Sequence, residues 1–184
     1  MTEPQMYEPG PANLARVLKD GEKTWTLILV RELRHSPEKV WQALIDPAQL
    51  REWAPFVTDG SLGAVGTVNL TWVGAPTPIE TKVTRVEALR ALEYGDTRWE
   101  LEASGSGTRL TLWTKIDRRF ISMGAAGWHV SFDVLDHLLS GTPIGRIAGG
   151  DAMKFAGWQR LNAEYAEQFG VKAPNWPPQA AQNS

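Results

Sequence analysis

Two of the three histidines fall with an aspartate on one short stretch: His129, Asp133 and His137, each four residues from the next. If that stretch is helical, the spacing stacks all three on one stripe. An imidazole oriented by a carboxylate is a general base, so the trio would serve proton transfer if the stripe faced an enclosed space. A shared metal ion is a poor fit. At about 1.5 Å of rise per residue the two imidazoles stand about 12 Å apart, too far to hold one ion, so no metal site is expected. Polar helical stripes usually face water, and an outer, hydrated face is the expectation here. The remaining histidine, His35, precedes a helix start and is expected in a loop.

Other reactive chemistry is thin. The chain has no cysteine, which excludes a thiol nucleophile, a redox pair and thiolate-bound zinc. No G-x-S-x-G, H-E-x-x-H or G-x-G-x-x-G occurs, and SGTPIGRIAGGD lacks the Lys-Ser/Thr ending of a phosphate cradle. Glu80, Glu87, Glu93, Glu100 and Glu102 mostly alternate with apolar residues, the pattern of a solvated sheet face rather than a carboxylate pair. No cofactor is implied.

The nine tryptophans carry more information. Trp41 and Trp158 sit within helical apolar stripes and read as core. Trp72, Trp99, Trp128 and Phe132 fall on elements that would bound a space between sheet and helix, joined by Leu101, Leu112 and Leu135. Large aromatic faces with few charges suit a flat apolar ligand, which makes these seven the candidate binding residues. Either parity of each strand could face inward.

The elements that must position them follow from period and punctuation. Asn13 to Leu18 is expected to form one helical turn, and TWTLILVREL, Thr24 to Leu33, a buried strand. Ser36-Pro37 and Asp46-Pro47 each pair a capping side chain with proline at the first helical position, so two short helices follow in succession. Short β-rich segments then run from Phe56 to Ile116, separated by Gly- and Asp-rich turns, as in an antiparallel meander. Val83 and Val86 break period two and indicate a bulge. After Phe120 the helical period returns. Trp128, Phe132, Leu135 and Leu139 make one apolar stripe and Val130, Val134 and Leu138 widen it, so this helix must be covered on more than one side. A last helix with Asp151 as its cap carries Phe155 to Phe169 and ends at Gly170.

At 184 residues the chain suits one domain, and a globule of this size removes roughly 70% of its unfolded surface from water. Residues 1–22 read as an N-terminal tail, 23–170 as the domain and 171–184 as a C-terminal tail. Lys plus Arg is 19 and Asp plus Glu 21, a net charge of -2 that argues against nucleic-acid binding. No apolar run approaches the roughly 20 residues of a membrane span, and Met1-Thr2-Glu3-Pro4 carries no signal pattern. The expected location is cytoplasmic.

RELRHSPEKVWQALIDPAQLREWAPF, RWELEASGSGTRLTLWTKI and AAGWHVSFDVLDHLLSG together resemble the heat-shock-protein-90 ATPase-activator-homologue branch of the START/Bet-v-1-like (SRPBCC) superfamily. The resemblance runs from about Thr24 to Leu139 and extends plausibly to Phe169. It implies an α+β helix-grip fold: a curved antiparallel sheet wrapped around a long C-terminal helix, with a cavity between them and two short helices after the first strand. It brings no catalytic motif, and the fold serves many activities. Three functions follow in order of expectation. The first is a module binding a small hydrophobic molecule. The second is a co-chaperone-like interaction domain, although a single domain leaves no room for the separate client-binding domain of the eukaryotic activators. The third is a cavity enzyme, a cyclase or hydrolase, with His129 or His137 and Asp133 as its base. Self-association as a homodimer is open, with no interface specified.

Overall fold

The computed structural model describes residues 7–174; the terminal segments, with Trp176 and the loose end expected around Pro177-Pro178, lie outside the described residues. Eight strands form one antiparallel sheet in the order β1-β2-β8-β7-β6-β5-β4-β3. They are β1 (Ala15–Leu18), β2 (Thr24–Leu33), β3 (Phe56–Thr58), β4 (Gly66–Trp72), β5 (Ile79–Glu87), β6 (Ala91–Tyr94), β7 (Thr97–Ser104) and β8 (Gly107–Asp117). The two short helices, α1 (Pro37–Ile45) and α2 (Pro47–Trp53), carry β2 across to β3. Both begin as their sequences dictate: Ser36 Oγ accepts from Lys39 N–H and Asp46 Oδ1 from Ala48 N–H, with proline next in each case. The expected bulge is present, as a register shift between Val83 and Arg85 in the β5–β6 pairing.

A long helix, α3 (Ile121–Leu139), packs against the sheet and is buried around most of its circumference, as its doubly wide apolar arc requires. Beyond it lie α4 (Gly149–Lys154) and α5 (Ala156–Phe169), the latter closed by Gly170 in the left-handed region (φ 70°). This is the helix-grip arrangement, and it determines where space can remain. Trp53, Trp99, Trp128 and Phe132 meet beneath the middle of α3, with Trp99 5.6 Å from Trp128 and 5.8 Å from Phe132 between ring centres. The Trp53 and Trp99 indoles donate to Ala43 C=O and Tyr94 Oη, so neither leaves a buried N–H unpaired. The centre of the hollow is therefore solid, and space persists beside it, along the first half of α3 and under the ends of the strands.

Two expectations are corrected. Ala15–Leu18 is not a helical turn but an edge strand, in register with β2 from Ala15↔Leu29 to Leu18↔Thr26. The exposed N–H and C=O row of β2 is a template that a short segment with alternating burial satisfies better than an isolated turn would. The last helix is not continuous either. Phe155 is extended (φ -81°, ψ 124°), splitting α4 from α5, and Asp151 lies inside α4 rather than capping α5. The Phe155 ring stacks on Tyr7 at 5.7 Å, a tertiary contact that nothing in the local pattern announces. No helix among the described residues is long and apolar enough to cross a membrane.

Candidate functional site

A cavity of about 270 Å³ opens beside the first half of α3. The helix contributes Met123, Gly124, Gly127, Trp128 and Ser131; the sheet contributes Trp72 and Ile116; α4 and its approach close the far side with Ile147, Ala152 and Met153. Trp158 of α5 completes the wall, and no charged side chain lines it. Two glycines on α3 shape the space differently. A Cβ on Gly124 would stand 2.4 Å from Ile116 Cδ1, so that glycine admits the sheet. A Cβ on Gly127 would reach ordinary contact with Trp158 Nε1 at 3.9 Å, so the position has room for a methyl group. Beside the indole N–H groups of Trp72, Trp128 and Trp158, Ser131 lies in this wall, 1% exposed, with its Oγ closed to solvent and without a hydrogen-bond partner among the described residues. A buried hydroxyl without a partner costs about 1–3 kcal/mol.

A second cavity, about 290 Å³, lies under the ends of β4 to β8. Thr81, Tyr94, Thr97 and Thr114 face it from the sheet, and Glu80, Lys82, Asp96 and Lys115 stand at its rim. Thr97 and Thr114 share a hydrogen bond of 3.1 Å between their hydroxyls. Burial pushes the Tyr94 phenol well above its ordinary range, and the phenol stays protonated at any working pH. Trp72 and Trp128 line both cavities, set edge to face with ring centres 6.5 Å apart.

The polar stripe of α3 faces neither cavity. His129 is 2% and Asp133 8% exposed, so the expected hydrated outer stripe is overturned. It is covered by α5, β2 and the N-terminal segment. Arg31 Nη1 donates to Asp133 Oδ1 at 2.5 Å, and the Tyr7 hydroxyl donates to the other carboxylate oxygen. His35 is not idle in its loop: its Nε2 lies 2.8 Å from Asp136 Oδ1, tying the approach of α1 to α3. Tyr165 Oη accepts from Leu14 N–H (3.2 Å) and lies 2.6 Å from His129 Nδ1. Burial, the largest influence, pushes the Tyr165 phenol up to about 12, so it keeps its proton in this hydrogen bond with Nδ1. Burial also holds the His129 imidazole below its ordinary range, and the ring is neutral. Its Nε2 then stands 3.8 Å from Asp133 Oδ2, beyond hydrogen-bonding distance. The cluster lacks the aligned carboxylate of a general base, and neither described cavity is lined by His129, Asp133 or His137. His137, half-buried, packs its edge against Tyr7. The chemistry this arrangement supports is structural: it fastens the N-terminal segment to α3.

Of the seven candidate binding residues, Trp72 and Trp128 line the cavities, while Trp99, Leu101, Leu112, Phe132 and Leu135 are packed in the solid interior. Ser131, Gly127 and the α4 wall were not singled out by the sequence. Gly127 had a signal: a glycine in the interior of a helix costs stability and invites a spatial reason. No group of three or more His, Asp or Glu among the described residues could hold a metal ion. Of the acidic strand residues, Glu80, Glu87 and Glu102 are exposed and Glu93 and Glu100 half-buried, in keeping with a solvated face.

The architecture is shared with solved structures. A conserved protein of unknown function from Enterococcus faecalis, EF2215, superposes with a TM-score of 0.63 at 16% identity, covering 84% of this chain and 89% of its own. CalU16 from Micromonospora echinospora gives 0.58 at 20% identity, over 83% of this chain and 92% of its own. DynU16, described as a putative protein in the dynemicin biosynthetic locus, gives 0.56 at 17% identity, over 67% of this chain and 51% of its own. Comparison with curated proteins gives no match. At these identities the likeness is one of fold. The family model for "Activator of Hsp90 ATPase homolog 1-like protein" matches residues 34–140, more than half the chain, from the loop before α1 to the end of α3. The protein therefore belongs to that family, within the START/Bet-v-1-like superfamily.

Proposed function

We propose that the protein binds a small, uncharged, largely apolar molecule in the cavity beside the first half of α3. The observation that carries this reading is the wall itself, three indoles and aliphatic side chains with no charged group among its described residues, with the unpartnered Ser131 hydroxyl buried at its edge. Trp72, Trp128 and Trp158 offer flat faces to a ring system, and Ser131 offers a hydrogen bond to one carbonyl or ether oxygen. A fatty-acid carboxylate or a cation would have no counter-charge here and would lose hydration without compensation. The probe 7-methoxy-4-methylcoumarin has the required shape and a ring carbonyl. Isothermal titration is expected to show binding that Ser131→Ala weakens about fivefold to tenfold, the value of one hydrogen bond. Absence of binding, or binding indifferent to Ser131→Ala, would overturn the reading.

A further inference from the structure

The two cavities differ in chemistry and share two indoles. The first, at about 270 Å³, has no charged lining residue; the second, at about 290 Å³, is floored by threonine hydroxyls and rimmed by two acids and two lysines. Each alone is below the roughly 300–1,000 Å³ usual for a small-molecule site, and joined, at about 560 Å³, they fall within it. Trp72 and Trp128 are the lining residues they have in common. Trp128 is fixed, 5% exposed and enclosed by Trp53, Phe56, Trp99 and Phe132. Trp72 is different: it ends β4, is 39% exposed, and among the described aromatic rings touches Phe56 and Trp128.

We propose that the two cavities are the halves of one site, with Trp72 as its movable partition. Its ligand is a conjugate: an apolar ring system in the first half, linked to a neutral, multiply hydroxylated group such as a sugar in the second. This rests on the first cavity being a binding site, as proposed above. The neutrality follows from the rim, where Glu80 and Asp96 balance Lys82 and Lys115, so neither an anion nor a cation is favoured. The hydroxylation follows from the floor. The Thr97–Thr114 pair holds two hydroxyls but uses one proton between them, and Thr81, on the same lining, donates to Ile79 C=O with its acceptor lone pairs open. Such a surface pairs donors and acceptors in alternation, which a polyol matches and an alkyl chain does not. Trp72 turned outward would join the halves, and its indole face would lie along the link, where ring–sugar and ring–ring packing both suit it.

The test uses a matched pair of probes. The coumarin 7-methoxy-4-methylcoumarin fills only the apolar half; the matched 7-O-β-glucoside of 7-hydroxy-4-methylcoumarin, with glucose in place of the methyl group, carries a sugar at the end of the ring opposite the carbonyl that Ser131 would hold. Titration calorimetry on the full chain is expected to give the glucoside at least about fivefold tighter binding, as one or two net hydrogen bonds provide. Thr114→Val, which removes one hydroxyl from a buried strand position at nearly constant shape, is expected to abolish that advantage and leave the methoxy compound unchanged. Trp72→Ala is expected to speed glucoside association. Binding of the methoxy compound with a glucoside no tighter, or weaker, overturns this inference alone. Binding of neither overturns it together with the proposed function. A glucoside advantage that survives both Thr114→Val and Thr81→Val also overturns it, since the sugar would then lie elsewhere.

Discussion

Gly127 offers the sharpest perturbation, because stability and binding are expected to move in opposite directions. Glycine inside a helix is less favourable than alanine by about 0.8–1.0 kcal/mol, so replacement should stabilise wherever the added methyl has room. At Gly127 it has room, with Trp158 Nε1 at 3.9 Å as its nearest neighbour. Gly127→Ala is therefore expected to raise stability by about 1 kcal/mol, or roughly 2–4 °C in melting temperature for a chain of this length. Gly124→Ala, three residues away on the same helix, gains the same propensity but places its methyl 2.4 Å from Ile116 Cδ1. Forcing Ile116 aside costs about as much as the helix gains, so no net stabilisation is expected there. Gly127→Leu then projects a larger side chain into the cavity and is expected to weaken binding of 7-methoxy-4-methylcoumarin at least about tenfold, equivalent to about 1.4 kcal/mol. Thermal unfolding and calorimetry read the two effects separately. A Gly127→Ala protein less stable than wild type would refute the open space at that position. A Gly127→Leu protein that binds the probe unchanged would refute the cavity as its site.

Three further outcomes follow from the packing. Gly107→Ala would place its methyl 2.0 Å from the Leu33 carbonyl oxygen, and a loss of about 2 kcal/mol or more in urea unfolding is expected; a neutral effect would mean that the strand ends can separate freely. Asp133→Asn removes the counter-charge of Arg31 and the acceptor of Tyr7, with an expected cost of about 1–3 kcal/mol and faster limited proteolysis near Tyr7 to Leu14, whereas unchanged cleavage would contradict the fastening role. His129 is held neutral by burial, so its folded-state proton affinity is lower than that of the unfolded chain. Stability is then fully present above the unfolded value near 6.5 and falls as the pH drops through it, because the unfolded state takes up the proton first. Unfolding free energies at pH 7.5 and 5.5 should show this decline in wild type and a smaller one in His129→Gln; equal slopes would show that another group titrates.

The fold was legible because its signals are local. Ser36-Pro37 and Asp46-Pro47 announce helix starts through the backbone groups they satisfy, the spacing of Val83 and Val86 registers the bulge, and the width of the apolar arc on α3 states that it must be wrapped. What misled were positions decided by distant partners. Ala15–Leu18 takes strand form because β2 presents an open edge, and Phe155 breaks a helix to stack on Tyr7, more than a hundred residues away. The same holds for the site. Trp72, Trp128, Trp99 and Phe132 all read in the sequence as large aromatics on facing elements, and nothing in it separates the two that line a cavity from the two packed in the interior. A polar stripe of His129, Asp133 and His137 reads as an outer face until a second helix and an arginine from β2 cover it. Ser131 is one serine among several in the sequence; only the absence of a partner in three dimensions distinguishes it.

The most direct measurement is a crystal structure of the protein soaked with 7-methoxy-4-methylcoumarin. Ligand density in the cavity bounded by Trp72, Met123 and Met153, with the ring carbonyl within hydrogen-bonding distance of Ser131 Oγ, is the expected result. A cavity closed by rearranged side chains, or density bound only on the outer surface away from α3, would contradict the assignment of a binding site to this fold.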